Sequence, residues 1–273
     1  MDFDALFSSA GAAGWGCCAF DSLPLTEEAR RKAEALCPSP SGVFVAAFPY
    51  GAEERPGNLS RYARGRDYHS VLLERLRPAC TALERQYPGH VFVPGADNSP
   101  LPERECAWLA GLGLRGRNGL VILPPYGSWV FLGTILTSLP LSTPSEPASP
   151  CMSCGACAAV CPGGALRSAS FSEKQCLSAL TQAKGTLTLE QEALLAAHPL
   201  VWGCDLCQQV CPYNRTPELS PLPEFRTDLV CSLSLSDVEG RTNRQFQASF
   251  PDRAFTWRGP KPLLRNLKWK QQE

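Results

Sequence analysis

Cys151-Met-Ser-Cys154-Gly-Ala-Cys157-Ala-Ala-Val-Cys161-Pro162 is the stretch on which the reading of this chain turns, and a second, shorter run answers it at Cys204-Asp-Leu-Cys207-Gln-Gln-Val-Cys211-Pro212. The first is a C-x2-C-x2-C-x3-C-P pattern, the spacing that holds four-iron clusters and whose fourth cysteine ligates the other cluster. Three thiolates from one loop cap three irons. The next cysteine lies on the following helical turn and faces away, and the proline closes the loop without needing a backbone donor. The second run has only three cysteines, so one ligand must come from elsewhere, and Cys176 is the only nearby candidate. Crosswise pairing then sets Cys151, Cys154, Cys157 and Cys211 on one 4Fe–4S cluster and Cys161, Cys176, Cys204 and Cys207 on a second. Zinc ribbons also use C-x2-C pairs, but rarely three close cysteines followed by Cys-Pro.

The remaining composition agrees with a redox protein. Of 14 cysteines in 273 residues, Cys17, Cys18, Cys37, Cys80, Cys106 and Cys231 are scattered and read as small packing residues. The 26 basic and 26 acidic side chains cancel, which excludes a generally cationic nucleic-acid binder but leaves room for a local patch. No stretch reaches the ~18 apolar residues of a membrane span. Met1-Asp2-Phe3-Asp4 lacks the basic start and apolar run of a secretory signal. A cytoplasmic, reducing location is therefore expected, where clustered cysteines serve as metal ligands rather than disulfides.

Outward from the cysteines, the chain divides. Residues 1–140 read as mixed helix and strand, 141–215 as a two-cluster bacterial ferredoxin-like domain, and 216–273 as a less regular tail packing on the first domain. Leu141-Ser-Thr-Pro-Ser-Glu-Pro-Ala-Ser149 is the polar, proline-rich boundary. Thr26 precedes a short charged helix as its N-cap. Gly42 to Phe48 reads as a buried strand. Asp67 to Tyr87 has helical spacing, with Pro78 expected to kink or divide it. His90 to Val93 and Leu120 to Leu123 are strand candidates, and Pro102 to Leu112 fits a helix. Trp129 to Leu136 suits either a strand or a buried helix. Between Arg241 and Lys270 eight Lys or Arg face a single acid, Asp252.

A plain ferredoxin needs only about 60 residues, so the first domain must use the electrons. Ser60-Arg-Tyr-Ala-Arg-Gly-Arg-Asp-Tyr-His69 resembles a segment of the epoxyqueuosine reductases. So do Ala96-Asp97-Asn98-Ser99-Pro100, Ala110-Gly-Leu-Gly113 with Gly116-Arg-Asn118, and Gly127-Ser-Trp-Val-Phe-Leu-Gly-Thr-Ile-Leu-Thr137. The eight clustered cysteines, Cys176 included, fit that family too. The resemblance implies an α/β (α+β) corrinoid-binding domain related to reductive dehalogenases, followed by the two-cluster module. It implies base-off cobalamin fed by the clusters, and reduction of epoxyqueuosine to queuosine in tRNA. By residue matching, Asp97 would be the catalytic proton donor, kept protonated by an apolar pocket. Cofactor contacts would fall to Arg61, Tyr62, Arg64, Tyr68, Asn118, Gly127, Ser128, Gly133 and Ser178. Implied partners are an external donor of flavodoxin or ferredoxin type and tRNA, with a monomeric protein and no membrane.

Asp67-x-His69-x-x-Leu72 nearly matches the D-x-H-x-x-G pattern of corrinoid proteins that ligate cobalt through histidine. Leu72 replaces the glycine, so His69 reads as a packing or polar contact. The chain departs from the family at Leu114, Arg117, Thr134 and Ala179, and a C-terminal helical-repeat region is not among the 273 residues. Two alternatives follow. One is a paralogue that reduces a small molecule or a corrinoid. The other is a plain 4Fe–4S electron-transfer protein.

Overall fold

All eight residues of Gly42–Pro49 are buried because both faces of that strand are covered. The computed structural model describes residues 1–167 and 171–270, in two units. The first unit comprises Met1–Gly51, Tyr68–Ser153 and Thr216–Leu222. Its elements in chain order are α1 (Phe3–Ser9), β1 (Gly14–Ala19), α2 (Glu27–Leu36), β2 (Gly42–Pro49), α3 (Tyr68–Gln86), β3 (Phe92–Gly95), α4 (Glu103–Leu109), β4 (Leu114–Arg115), β5 (Val121–Ile122) and β6 (Val130–Thr137). The main sheet runs β1-β2-β6-β3 with every pair antiparallel, so this is an α+β domain rather than a parallel doubly wound one.

The period of two along β2 sorts its side chains. Val43, Val45 and Ala47 join a core with Cys106, Ala107 and Trp108 of α4. Phe44 turns to the other face, against Phe3 and Phe7 of α1. The choice left open at Trp129 to Leu136 resolves as strand β6, because β2 and β3 hydrogen-bond to its two edges. Thr26 caps α2 as expected, accepting from the Ala29 N–H at 3.2 Å. Pro78 does not divide α3, which is one helix from Tyr68 to Gln86. The lost backbone bond is outweighed by burial of Val71, Leu72, Leu76 and Leu83 along one stripe.

The second unit comprises Ala52–Asp67, Cys154–Arg215 and Pro223–Glu273. It contains α5 (Ala156–Val160), α6 (Leu177–Gln182), α7 (Leu189–Ala197), α8 (Leu206–Gln209), α9 (Leu235–Val238), α10 (Asn243–Ser249) and α11 (Pro260–Trp269). Here the sequence-based division needs correcting. Residues 52–67 and the tail from Pro223 both group with the cysteine motifs rather than with the sheet, while Thr216–Leu222 groups with the sheet. Phe246, Phe255, Leu263 and Leu267 share a core with Leu59, Val201 and Trp202. Nor is the tail irregular. Ser234 with Asp237 and Thr242 with Gln245 form capping boxes, and Pro260 opens α11 at a position that needs no donor.

Candidate functional site

In the first unit, Asp97 sits where β3 leaves the sheet. Its φ is +55°, and the Asn98 N–H reaches back to the Ala96 carbonyl at 2.6 Å. That is a tight turn with left-handed backbone at a non-glycine residue, the kind of strain that persists only when its surroundings hold it. Two side chains from the start of α3 do so. The Tyr68 hydroxyl donates to Asp97 Oδ2 at 3.0 Å, and His69 Nε2 lies 2.9 Å from the same oxygen. Tyr68 is clamped in turn, its ring stacked on His69 and on Phe131 of β6 at 4.0 and 4.4 Å.

This geometry corrects the expected electrostatics. The hydrogen bond from His69, followed by that from Tyr68, holds the Asp97 carboxyl below its ordinary value despite partial burial. The pull on Asp97 thus runs opposite to the raised carboxyl expected from an apolar pocket. The raised carboxyl is a neighbour, Glu103, the first residue of α4. Burial, and then the negative charge of Asp97, pushes it up to about 7. It accepts the backbone N–H of Asp97, while its Oε1 is buried with no hydrogen-bond partner.

The sequence-predicted cofactor contacts divide. Asn118 is buried; its Oδ1 accepts from the Leu120 N–H at 3.2 Å, and its Nδ2 is buried without a partner. A donor of that kind suits a carbonyl or phosphate oxygen of a bound group. Gly127 forms a turn at φ +64°, beside the buried Ser128. At Gly133 a Cβ would lie 2.8 Å from Leu76 Cδ1 and 3.3 Å from Phe48 Cε2. Glycine at that position lets α3 pack closely on β6.

In the second unit, Arg64 has backbone partners. Its guanidinium is buried and committed to the carbonyls of Leu59 and Arg55, both at 2.7 Å. Arg61 pairs with Glu54 at 3.0 Å, and Tyr62 accepts from Gln182 Nε2 at 3.0 Å. Asp205, which the sequence reading passed over, receives Ser60 Oγ at 2.5 Å and the Arg61 N–H at 2.9 Å. It thereby ties this segment to the second cysteine motif.

In the second unit burial governs the thiols. Burial pushes Cys204 and Cys207 up to about 12, and neighbouring thiols add to it: Cys176 and Cys161 act on Cys204, and Cys204, Cys176 and Cys157 act on Cys207. Cys176 is raised by burial first, with Cys161 among the further causes. Cys176, Cys204 and Cys207 are thus neighbours whose thiols burial holds in the neutral form, with Cys161 and Cys157 close by, and cluster iron would reverse that preference. Among the described residues no three such side chains meet at one point, as ligands of a single ion would; in a cubane each thiolate takes its own iron. The backbone N–H groups of Ser178 and Ala179 donate to the Cys176 sulfur. In the first unit, the Arg117 N–H lies 3.3 Å from Cys151 Sγ.

An α+β domain with a strained, partly exposed carboxylate turn, continuous in sequence with eight thiols at two-cluster spacing, is the arrangement of an iron–sulfur redox protein. Residues 150–214 match the family described as 4Fe-4S double cluster binding domain, and residues 30–95 match Epoxyqueuosine reductase QueG, DUF1730. The chain is 37% identical over 261 residues to an epoxyqueuosine reductase of Listeria monocytogenes, covering 89% of this chain and 66% of that one. Against the Escherichia coli K12 enzyme it is 35% identical over 171 residues, covering 62% and 45%. A solved epoxyqueuosine reductase holding an epoxyqueuosine-modified tRNA-Tyr stem loop is 27% identical with a TM-score of 0.82, covering 98% of this chain and 80% of that one. The enzyme from Streptococcus thermophilus gives 25% and 0.81 over the same shares. This chain belongs to the epoxyqueuosine reductase family, and it spans about two thirds of the length of the first curated relatives it matches, 66%, 65% and 66%.

Proposed function

We propose that this chain reduces the epoxide of epoxyqueuosine in tRNA, giving queuosine, with two 4Fe–4S clusters and base-off cobalamin as its cofactors. The observation that carries this reading is the Tyr68–His69–Asp97 cluster on a strained turn, in a chain whose eight thiols fit two clusters. The clusters would be held by Cys151, Cys154, Cys157 and Cys211, and by Cys161, Cys176, Cys204 and Cys207. They would pass on single electrons from an external donor of flavodoxin or ferredoxin type. Cobalamin, when bound, supplies the low-potential two-electron reductant, and in the first unit Asn118, Ser128 and Tyr68 would hold it.

Loss of the epoxide oxygen as water consumes two electrons and two protons. An alkoxide is a poor leaving group, so an acid placed on that oxygen lowers the barrier. One proton would reach the oxygen at Asp97 Oδ2, beside His69 and the Tyr68 hydroxyl, and the second would come from solvent. Glu103, raised to about 7, carries less than a full negative charge near neutral pH. The protein would act as a monomer in the cytoplasm.

Anaerobic reconstitution tests this. The protein should take up about eight iron and eight sulfide per chain, perturb the corrinoid absorption of added cobalamin, and bind tRNA. Failure to bind cobalamin would sink the proposal and leave an electron-transfer protein.

A further inference from the structure

Within the second unit lies a cavity of about 480 Å³ whose wall carries Lys184, Arg258, Lys261 and Arg265 and no acidic side chain. Like charges gathered in one concavity repel and focus a positive potential into it. Three features hold them there. Gly259 has φ +73°, and a Cβ on it would fall 2.3 Å from Asn243 Oδ1, so only glycine brings Arg258 to the start of α11. Arg265 is anchored through the carbonyls of Ala183 and Leu180 at 2.9 and 3.1 Å, and burial lowers its pKa, with Glu192 offsetting part of that. Arg258 lies over the Trp257 ring at 3.6 Å, and its Nε is buried with no partner. Among the described residues neither Lys184 nor Lys261 makes an ion pair.

A second observation points to the same class of ligand. Trp257 is 51% exposed, unusual for the largest apolar side chain, and its Nε1 is fixed on Gln182 Oε1 at 3.2 Å. A rigid, exposed indole beside unpaired cations is the pairing that single-stranded nucleic acid uses: cations for the backbone, an aromatic face for an unstacked base.

We propose that this cavity is a phosphodiester subsite for an unpaired stretch of RNA. One backbone phosphate sits among Lys184, Arg258 and Lys261, and the adjoining base stacks on Trp257. The inference rests on the reading of the substrate as tRNA and adds where on this chain its backbone is held.

The test uses the full, cluster-loaded chain and two RNA hairpins, one with an open seven-nucleotide loop and one capped to remove unpaired bases. Affinity is followed by fluorescence anisotropy from 50 to 300 mM salt. Lys184→Ala/Lys261→Ala should flatten the log–log salt dependence by about 0.7, the value for one single-strand phosphate contact. Trp257→Ala should leave that slope alone and weaken the open-loop hairpin about fivefold or more, with little change for the capped one. Inorganic phosphate should compete with the open loop on the parent chain and lose that effect on the double variant. Unchanged slope and affinity in the variants, with the parent chain still binding RNA, would overturn the subsite and leave the tRNA reading intact. Absence of RNA binding by the parent chain would overturn both. Phosphate competition lost without any change in RNA affinity would make the ligand a small free anion and refute the RNA proposal.

Discussion

Glu103→Gln isolates the electrostatics of the Asp97 turn. Glutamine keeps an oxygen to accept the Asp97 N–H but cannot ionise. In the parent chain the Glu103 carboxyl is pushed up to about 7 from 4.5, by burial first and by the Asp97 charge second. At pH 6 it should be about nine-tenths protonated, where an ordinary glutamic acid is about 3% protonated. Because the folded value is raised, its stabilising contribution is complete below the unfolded pKa and is lost as pH rises through about 7. Between pH 5 and pH 8 that amounts to roughly 2–3 kcal/mol of lost stability in the parent chain, absent from the glutamine variant. Infrared difference titration reads the protonated carboxyl directly, as a band present in the parent chain and missing from Glu103→Gln. Urea unfolding at a series of pH values reads the linked stability. The reasoning is refuted if the band has vanished by pH 5.5 and the two unfolding curves stay parallel from pH 5 to pH 8.

Other expectations follow from the same geometry. Gly133→Ala should cost about 1–2 kcal/mol in urea unfolding by overpacking β6 against Leu76 and Phe48; an unchanged midpoint would refute that packing. Cys176→Ala should lower bound iron from about eight to about four per chain and leave one cluster signal in the EPR spectrum. Loss of both signals, or of neither, would break the crosswise assignment. Asp97→Asn should lower turnover by about 10²–10⁴ while iron and corrinoid binding persist, and His69→Gln should lower it at least about tenfold, since an amide donates a hydrogen bond but no proton. Full activity in the asparagine variant would remove Asp97 from the reaction.

What was legible in the sequence was local. Ligand spacing in the cysteine motifs is set by a loop and one helical turn, and the isolated Cys176 stood out because the second run has only three cysteines. The Thr26 cap and the unbroken apolar run of β2 are likewise short-range signals. The non-local features escaped. His69 meets Asp97 across 28 residues, and Ser60 meets Asp205 across 145. Neither distance leaves a periodicity to read. Arg64 read as a ligand-facing cation, and only the fold supplies the two carbonyls that it meets. Gly133 read as a cofactor glycine, and the Leu76 methyl above it comes from another element. Both β1 and α1 went unread, since Gly14-Trp-Gly-Cys-Cys-Ala19 alternates weakly and becomes a strand by pairing with β2. The tail read as irregular because its apolar residues are spread thinly, and they form a core only with Leu59 and Trp202.

The central claim is a reduction, and its product can be weighed. Cluster-loaded chain with cobalamin and a low-potential reductant, incubated anaerobically with an epoxyqueuosine-containing tRNA stem loop and digested to nucleosides, should convert epoxyqueuosine to queuosine, with the loss of one oxygen by mass. Quantitative recovery of epoxyqueuosine, from protein shown to hold both clusters and cobalamin, would contradict the account.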